Sequence, residues 1–257
     1  MPHAIVQTTL TPPSLEQLRQ AFSVIPWLVD ADAGGMARDA CGILIGDLAA
    51  AEAARLQRAL IAVGVETEVV DEDALPPLPR PMKLKRADVA DDALVLYDAL
   101  SRPTKVDWAQ VRLIATGEVN LRHFKQVRTT RYVHRGTGHG GVPVPVTDVT
   151  HREKRRLTSM LELFIGQTSQ RYRTTAEEFV YTYLGPRRSR RAEDNFVLLV
   201  HDLLARATGA SLNRGAAAAA ADPSGTFAYP ARHAFEEEIT WLLWRDARSR
   251  LGTTPPS

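Results

Sequence analysis

"RYVHRGTGHGGVPVPVTDVTHREKRR", residues 131–156, breaks the hydrophobic pattern of the chain with three histidines, a glycine cluster and a run of bases. Its reading decides how the second half of the chain folds, because it is either a site or a connection. A metal centre needs three or four converging ligands held by a second layer of hydrogen bonds. His134, His139 and His151 are the dense candidates, but their spacings of five and twelve residues match no zinc pattern. Gly136, Gly138, Gly140 and Gly141 leave the backbone between them too free to preorganise ligands. "GTGHGG" also lacks the Gly-Lys-Ser/Thr ending and the strand-to-helix setting of a phosphate loop, and the "VPVPV" that follows forbids a helix. The stretch therefore reads as a flexible basic insertion between strands, with no metal and no cofactor expected.

What remains informative there is charge. Residues 121–156 carry nine Lys and Arg against two acids, whereas residues 1–75 carry eleven acids against four bases. Such polarity is invisible in the formal net charge of +2, and it points to a basic face that meets an anionic partner. Arg122, Lys125, Arg128, Arg131 and Arg135 recur every three or four residues, Arg152, Lys154, Arg155 and Arg156 cluster, and "RRSRR" adds Arg187, Arg188, Arg190 and Arg191. Phosphate backbones reward that density through counterion release. Only Phe124 and Tyr132 lie among the first group, so stacking of single-stranded bases is poorly supported.

Upstream, the chain reads as a small α/β unit. "HAIVQTTL" is β-rich and ends at "TPPS", where Ser14 can cap a helix whose apolar residues Leu18, Phe22 and Ile25 follow at helical spacing. "VDADAGGMARDA" reads as a polar loop. "GILI" is a short buried strand, Asp47 a plausible N-cap, Leu48, Leu56, Leu60 and Val63 a helical stripe, Gly64 its end, and "VETEVV" a further strand. This order suits a two-layer ferredoxin-like domain over residues 1–75. "DEDALPPLPRP" supplies a proline-rich linker at 76–81.

Beyond it, "MKLKRADV", "ALVLYDAL", "TKVDWAQ", "VRLIATGEVNL", "SMLELFIG" and "QRYRTTAEEFVYTYLG" read as strands, followed by the amphipathic helix "NFVLLVHDLLARATG". A run of antiparallel strands closed by one helix, with "LVLYDALSRPTKVDWAQVRLI" as its strand-turn-strand passage, resembles the pleckstrin-homology-like superfold, including its bacterial forms, over residues 82–208. That resemblance implies a β-barrel or sandwich and a binding or scaffolding role; Lys83, Lys85 and Arg86 are similar to the basic first strand of its lipid-binding members. The expected fold class is thus α+β: a ferredoxin-like domain, then an antiparallel pleckstrin-homology-like β domain with a closing helix. Residues 209–257 add a low-complexity link and a last helix, "AFEEEITWLLWRDARSRLG", which docks on the body or serves self-association.

No enzyme signature is present: there is no Gly-x-Ser-x-Gly elbow, and Cys41, the single cysteine, lies beside "GILI" without a basic neighbourhood. No long apolar run or leader-like N-terminus is seen, so a soluble cytoplasmic chain is expected. The functional expectation is a non-enzymatic protein-interaction or regulatory protein. The alternatives are nucleic-acid binding through Arg128, Arg131, Arg135, Arg152, Arg155, Arg156, Arg187, Arg188, Arg190 and Arg191, and a metal protein or enzyme centred on the three histidines.

Overall fold

The structure is a computed structural model that describes residues 1–39, 42–135, 142–166 and 170–252; the side chains of 39, 122–129, 131–135, 142–145, 147–155 and 251–252 lie outside that description. It is mixed α and β, with several sheets and none closed into a barrel.

The first unit runs β1 (His3–Gln7), α1 (Leu15–Phe22), α2 (Asp30–Asp39), β2 (Ile43–Leu48), α3 (Ala50–Ala62) and β3 (Thr67–Asp71). Ser14 caps α1 in a full capping box with Gln17, as its spacing predicts. The strand order is β2-β1-β3, with β1 antiparallel to both neighbours. β2-α3-β3 is therefore a split crossover around β1 in a three-stranded sheet; the fourth strand that the expected ferredoxin-like fold requires is not among the described strands. Two expectations change here. "VDADAGGMARD" is the helix α2, started by the Asp32 carboxylate accepting from the Val29 amide at 2.9 Å and anchored by buried Leu28 and Ala33. Asp47 does not cap α3; it stands in β2 with φ +57°, while Glu52 reaches back to the amide of Ala49.

The proline-rich segment is no loose hinge. Leu75 and Leu78 pack into apolar clusters, and the Pro79 carbonyl accepts from Arg171 Nη1 at 3.1 Å. After it come β4 (Met82–Lys83), then β5 (Arg86–Val89), β6 (Leu94–Tyr97) and β7 (Pro103–Val106) as a separate three-stranded meander. β8 (Val111–Arg135) and β9 (Val142–Ile165) form one long antiparallel hairpin, followed by β10 (Gln170–Thr175) and α4 (Ala192–Arg206). Of the barrel or sandwich expected by resemblance, the closed barrel is not formed: these two strands run far past their neighbours and the meander forms its own sheet. Nor does "QRYRTTAEEFVYTYLG" stay extended: after Thr175 it turns into a short helical segment at 182–187.

The last quarter of the chain also departs from the sequence reading. β11 (Ser211–Leu212), α5 (Arg214–Ala221) and β12 (Ala228–Tyr229) are built into the structure, both strands pairing with β8 in parallel. Asn213 caps α5 through Ala216 N and also holds both Thr116 backbone groups at 3.0 Å. Far from being a link, this stretch contains Tyr229, fully buried, and Gly215, where a Cβ would overlap the Thr116 carbonyl.

Period-two alternation divides the central hairpin between two cores. Leu113, Ala115, Met160 and Phe164 face α6 (Arg232–Gly252), through Phe235, Ile239 and Leu243. Ile114, Leu161, Leu163 and Ile165 face the meander and α4, through Leu94, Leu96, Phe196, Leu199 and Leu203. The opposite side of α6 presents Trp241 and Trp244 to Ala4, Val6 and Val70 of the first sheet. Its apolar surface is thus consumed within the chain, and that leaves little of it for the self-association considered above.

Candidate functional site

Beyond Leu121 and Arg156, β8 and β9 pair with each other and with no other described strand. What the sequence presents as an insertion is therefore a two-stranded ribbon, residues 122–135 against 142–155, about 45 Å long at ~3.3 Å per residue. Residues 136–141, with His139 and the four glycines, lie outside the described residues.

The register sets like charges opposite each other: Arg122 against Arg155 and Lys125 against Arg152. Facing bases destabilise a ladder. Alternation also sorts the bases between faces. Lys125, Arg131, Arg135, Arg152, Lys154 and Arg156 share one face with a single acid, Asp148, while Arg122, Arg128 and Arg155 share the other with Glu153. Pro143 and Pro145 are two apart, so their missing N–H groups fall on the same edge of β9.

The same register separates two of the candidate metal ligands. His134 stands opposite Pro143, eight residues along β9 from His151. Their backbones are thus about 26 Å apart at ~3.3 Å per residue, too far to share an ion. Cys41 lies outside the described residues.

At its root the ribbon meets the second arginine cluster. Arg156 pairs with Glu177, and Glu177 lines an open depression of about 430 Å³ together with Phe179, Tyr181, Arg188, Ser189 and Arg190. Ser159 Oγ donates to Glu193 on the first turn of α4 at 2.6 Å, which fixes that helix start beside β9. The arginines of "RRSRR" are not equivalent. Arg187 grips Asp202 with two bonds of 3.1 and 2.7 Å, and Tyr183 donates to the same carboxylate at 2.9 Å. Burial pushes the Asp202 carboxyl up, but the Arg187 and Tyr183 hydrogen bonds and the Arg187 charge outweigh it, and the group sits below its ordinary value. Tyr183 is pushed up, first by burial and then by the Asp202 charge. Arg191 faces Asp194 at 3.9 Å. Arg188 and Arg190 are exposed and have no acidic partner among the described residues.

On the other side of the root, a cleft of about 390 Å³ opens between the hairpin, α4 and α5, lined by Glu118, Leu157, Glu193, Val197, His201 and Phe227 among others. The bases of the lipid-type resemblance are engaged locally: Lys83 with Glu178 at 2.9 Å, Lys85 with Ser101, and Arg86 stacked 3.8 Å over the Tyr97 ring.

Sequence reading missed the buried polar groups entirely. Glu162, with no exposure, receives two bonds from Arg171 at 2.6 and 3.0 Å and one from Arg173; both arginines reach on to Glu236 of α6 at 2.6 Å. Burial pushes Arg171 down, yet Glu162 and Glu236 together hold it raised. Glu238, equally buried, accepts from Arg214 and from the Tyr229 hydroxyl. The two networks fasten α6 and α5 to the central sheet. Only an acid and an arginine at alternating strand positions, Glu162, Arg171 and Arg173, could have hinted at it.

No described helix is long and apolar enough to cross a membrane. No family model, curated protein or solved structure matches the chain.

Proposed function

We propose that this protein binds nucleic acid, with the basic ribbon of β8 and β9 as the element that enters a duplex groove. The observation that carries the reading is the register: a two-stranded ribbon that pairs with no other described strand sets Arg122 against Arg155 and Lys125 against Arg152. Isolated, such pairs weaken the ladder; a polyanion between or alongside them removes the repulsion and releases counterions. Shape agrees with charge. The major groove of B-form DNA is about 12 Å wide and admits a two-stranded β-ribbon, whereas the deep groove of A-form RNA is too narrow for it. The unequal faces supply an orientation, the one with six bases and one acid toward the phosphates.

A protein-interaction role, the other expectation, would have the ribbon dock on an acidic protein surface. Residues 1–75, with eleven acids against four bases, offer such a surface on a second copy.

The test is binding of mixed-sequence duplex DNA, duplex RNA and single-stranded DNA across a salt titration. Preference for duplex DNA is expected, with log affinity falling about 0.9 per neutralised phosphate for each unit of log salt. The variant R122Q/K125Q/R152Q/R155Q should lose most of that affinity and keep its melting temperature. Absence of duplex binding at low salt overturns the reading, and concentration-dependent association of the chain with itself would then favour the protein-docking one.

A further inference from the structure

We infer that Arg188 and Arg190, on the depression at the root of the ribbon, form a second grip on the phosphodiester backbone of the duplex the ribbon enters. The inference rests on the nucleic-acid reading above.

Three observations carry it. The first is position: Glu177 both pairs with Arg156, at the root of the ribbon, and lines the depression that holds Arg188 and Arg190. A backbone strand leaving the groove beside Arg156 therefore meets these two side chains next. The second is availability. The acids around the depression are already engaged: Glu177 by Arg156, Glu178 by Lys83, Asp194 by Ser189 Oγ at 2.9 Å, and Glu193 by Ser159. Arg187 is likewise held by Asp202. Two exposed guanidinium groups remain without an acidic partner among the described residues. The third is rigidity. The backbone between them is fixed, since Ser189 N donates to Asn195 Oδ1 at 2.7 Å and Asn195 Nδ2 donates back to the Ser189 carbonyl at 2.8 Å. Asn195 is 3 % exposed and stands on α4, so Arg188 and Arg190 project from a braced loop. Braced arginines lose less freedom per phosphate bond, and the planar guanidinium matches two phosphate oxygens at once.

The two contacts then divide the work. The ribbon enters the groove, and the braced pair, set on the body, fixes the angle at which it enters.

The experiment is a salt titration of duplex DNA binding by the full chain and by R188Q/R190Q, R188K/R190K and R55Q/R58Q, the last altering two exposed bases of α3. Expected is a slope of log affinity against log salt shallower by about 1.8 in R188Q/R190Q, from two lost phosphate contacts at ~0.9 each. R188K/R190K should recover the slope, and R55Q/R58Q should leave it unchanged. A slope in R188Q/R190Q equal to that of the unaltered chain overturns the second grip while leaving the ribbon reading intact. An equal loss in R55Q/R58Q overturns it too, since any surface charge would then serve. Absence of binding by the unaltered chain overturns the nucleic-acid reading itself.

Discussion

Trp241 Nε1 donates to the carbonyl of Gln7 at 2.7 Å, joining residues 234 positions apart. The ring lies over the first sheet, where Gly42 (φ +93°) comes so close that an added Cβ would stand 2.5 Å from the Trp241 ring. Arg245 Nη1 bonds the Thr8 carbonyl at 2.7 Å, and Arg248 pairs with Glu68, so the seam between α6 and the first sheet is polar at its rim and aromatic at its centre.

Trp241→Ala should therefore cost about 3–5 kcal/mol, the usual range for removing a buried Trp without collapse of the space. Denaturant unfolding measures it. A loss below about 1 kcal/mol would mean that α6 does not hold the first sheet.

Much of the first unit is legible because its signals are local. Ser14 with Gln17, the stripe of α3 and the glycine after it are all decided within a few residues. α4 is equally plain, with Phe196, Leu199, Val200 and Leu203 buried on one side. The ribbon is not legible, for a physical reason. Residues 122–135 pair only with β9 among the described strands, and their sequence carries no apolar alternation to read. The glycines at its tip then make the whole stretch look like a loop. α5 hides differently: "RGAAAAAA" has the composition of a linker, and what fixes it is distant, Asn213 reaching Thr116 and Gly215 lying against the same residue. As for the candidate site, the sequence shows the charges but neither the facing pairs nor the difference between engaged Arg187 and unengaged Arg188.

Glu162→Gln leaves Arg171, 4 % exposed, facing a neutral amide, and leaves it to share the partly exposed Glu236 with Arg173. A broken buried pair costs about 3–5 kcal/mol. Urea unfolding should show that loss for Glu162→Gln and a much smaller one for Glu178→Gln, whose pair with Lys83 is exposed. Equal effects would show that the central network contributes nothing special.

Asp202 sits below its ordinary value of 3.8, so the folded state holds its ionised form more firmly than the unfolded chain does. The sign follows: its contribution is complete above the unfolded value and is lost as pH falls through the lower folded one. Wild type and Asp202→Asn should differ in stability by a constant amount above about pH 5, and the difference should shrink below about pH 4. Thermal melts of both proteins from pH 3 to 8 check this; a gap that stays constant down to pH 3 would contradict it.

The clasp between Trp241 and Gln7 also sets an order of events during synthesis. Strand β1 leaves the ribosome about 230 residues ahead of α6, the helix that covers its outer face. At about 5–20 residues per second, roughly 10–50 s separate the two. For that interval Val6 and Val70, buried in the finished protein, have no cover from α6. Until α6 emerges, the nascent chain carries a sheet that is complete in sequence but still uncovered on its apolar outer face.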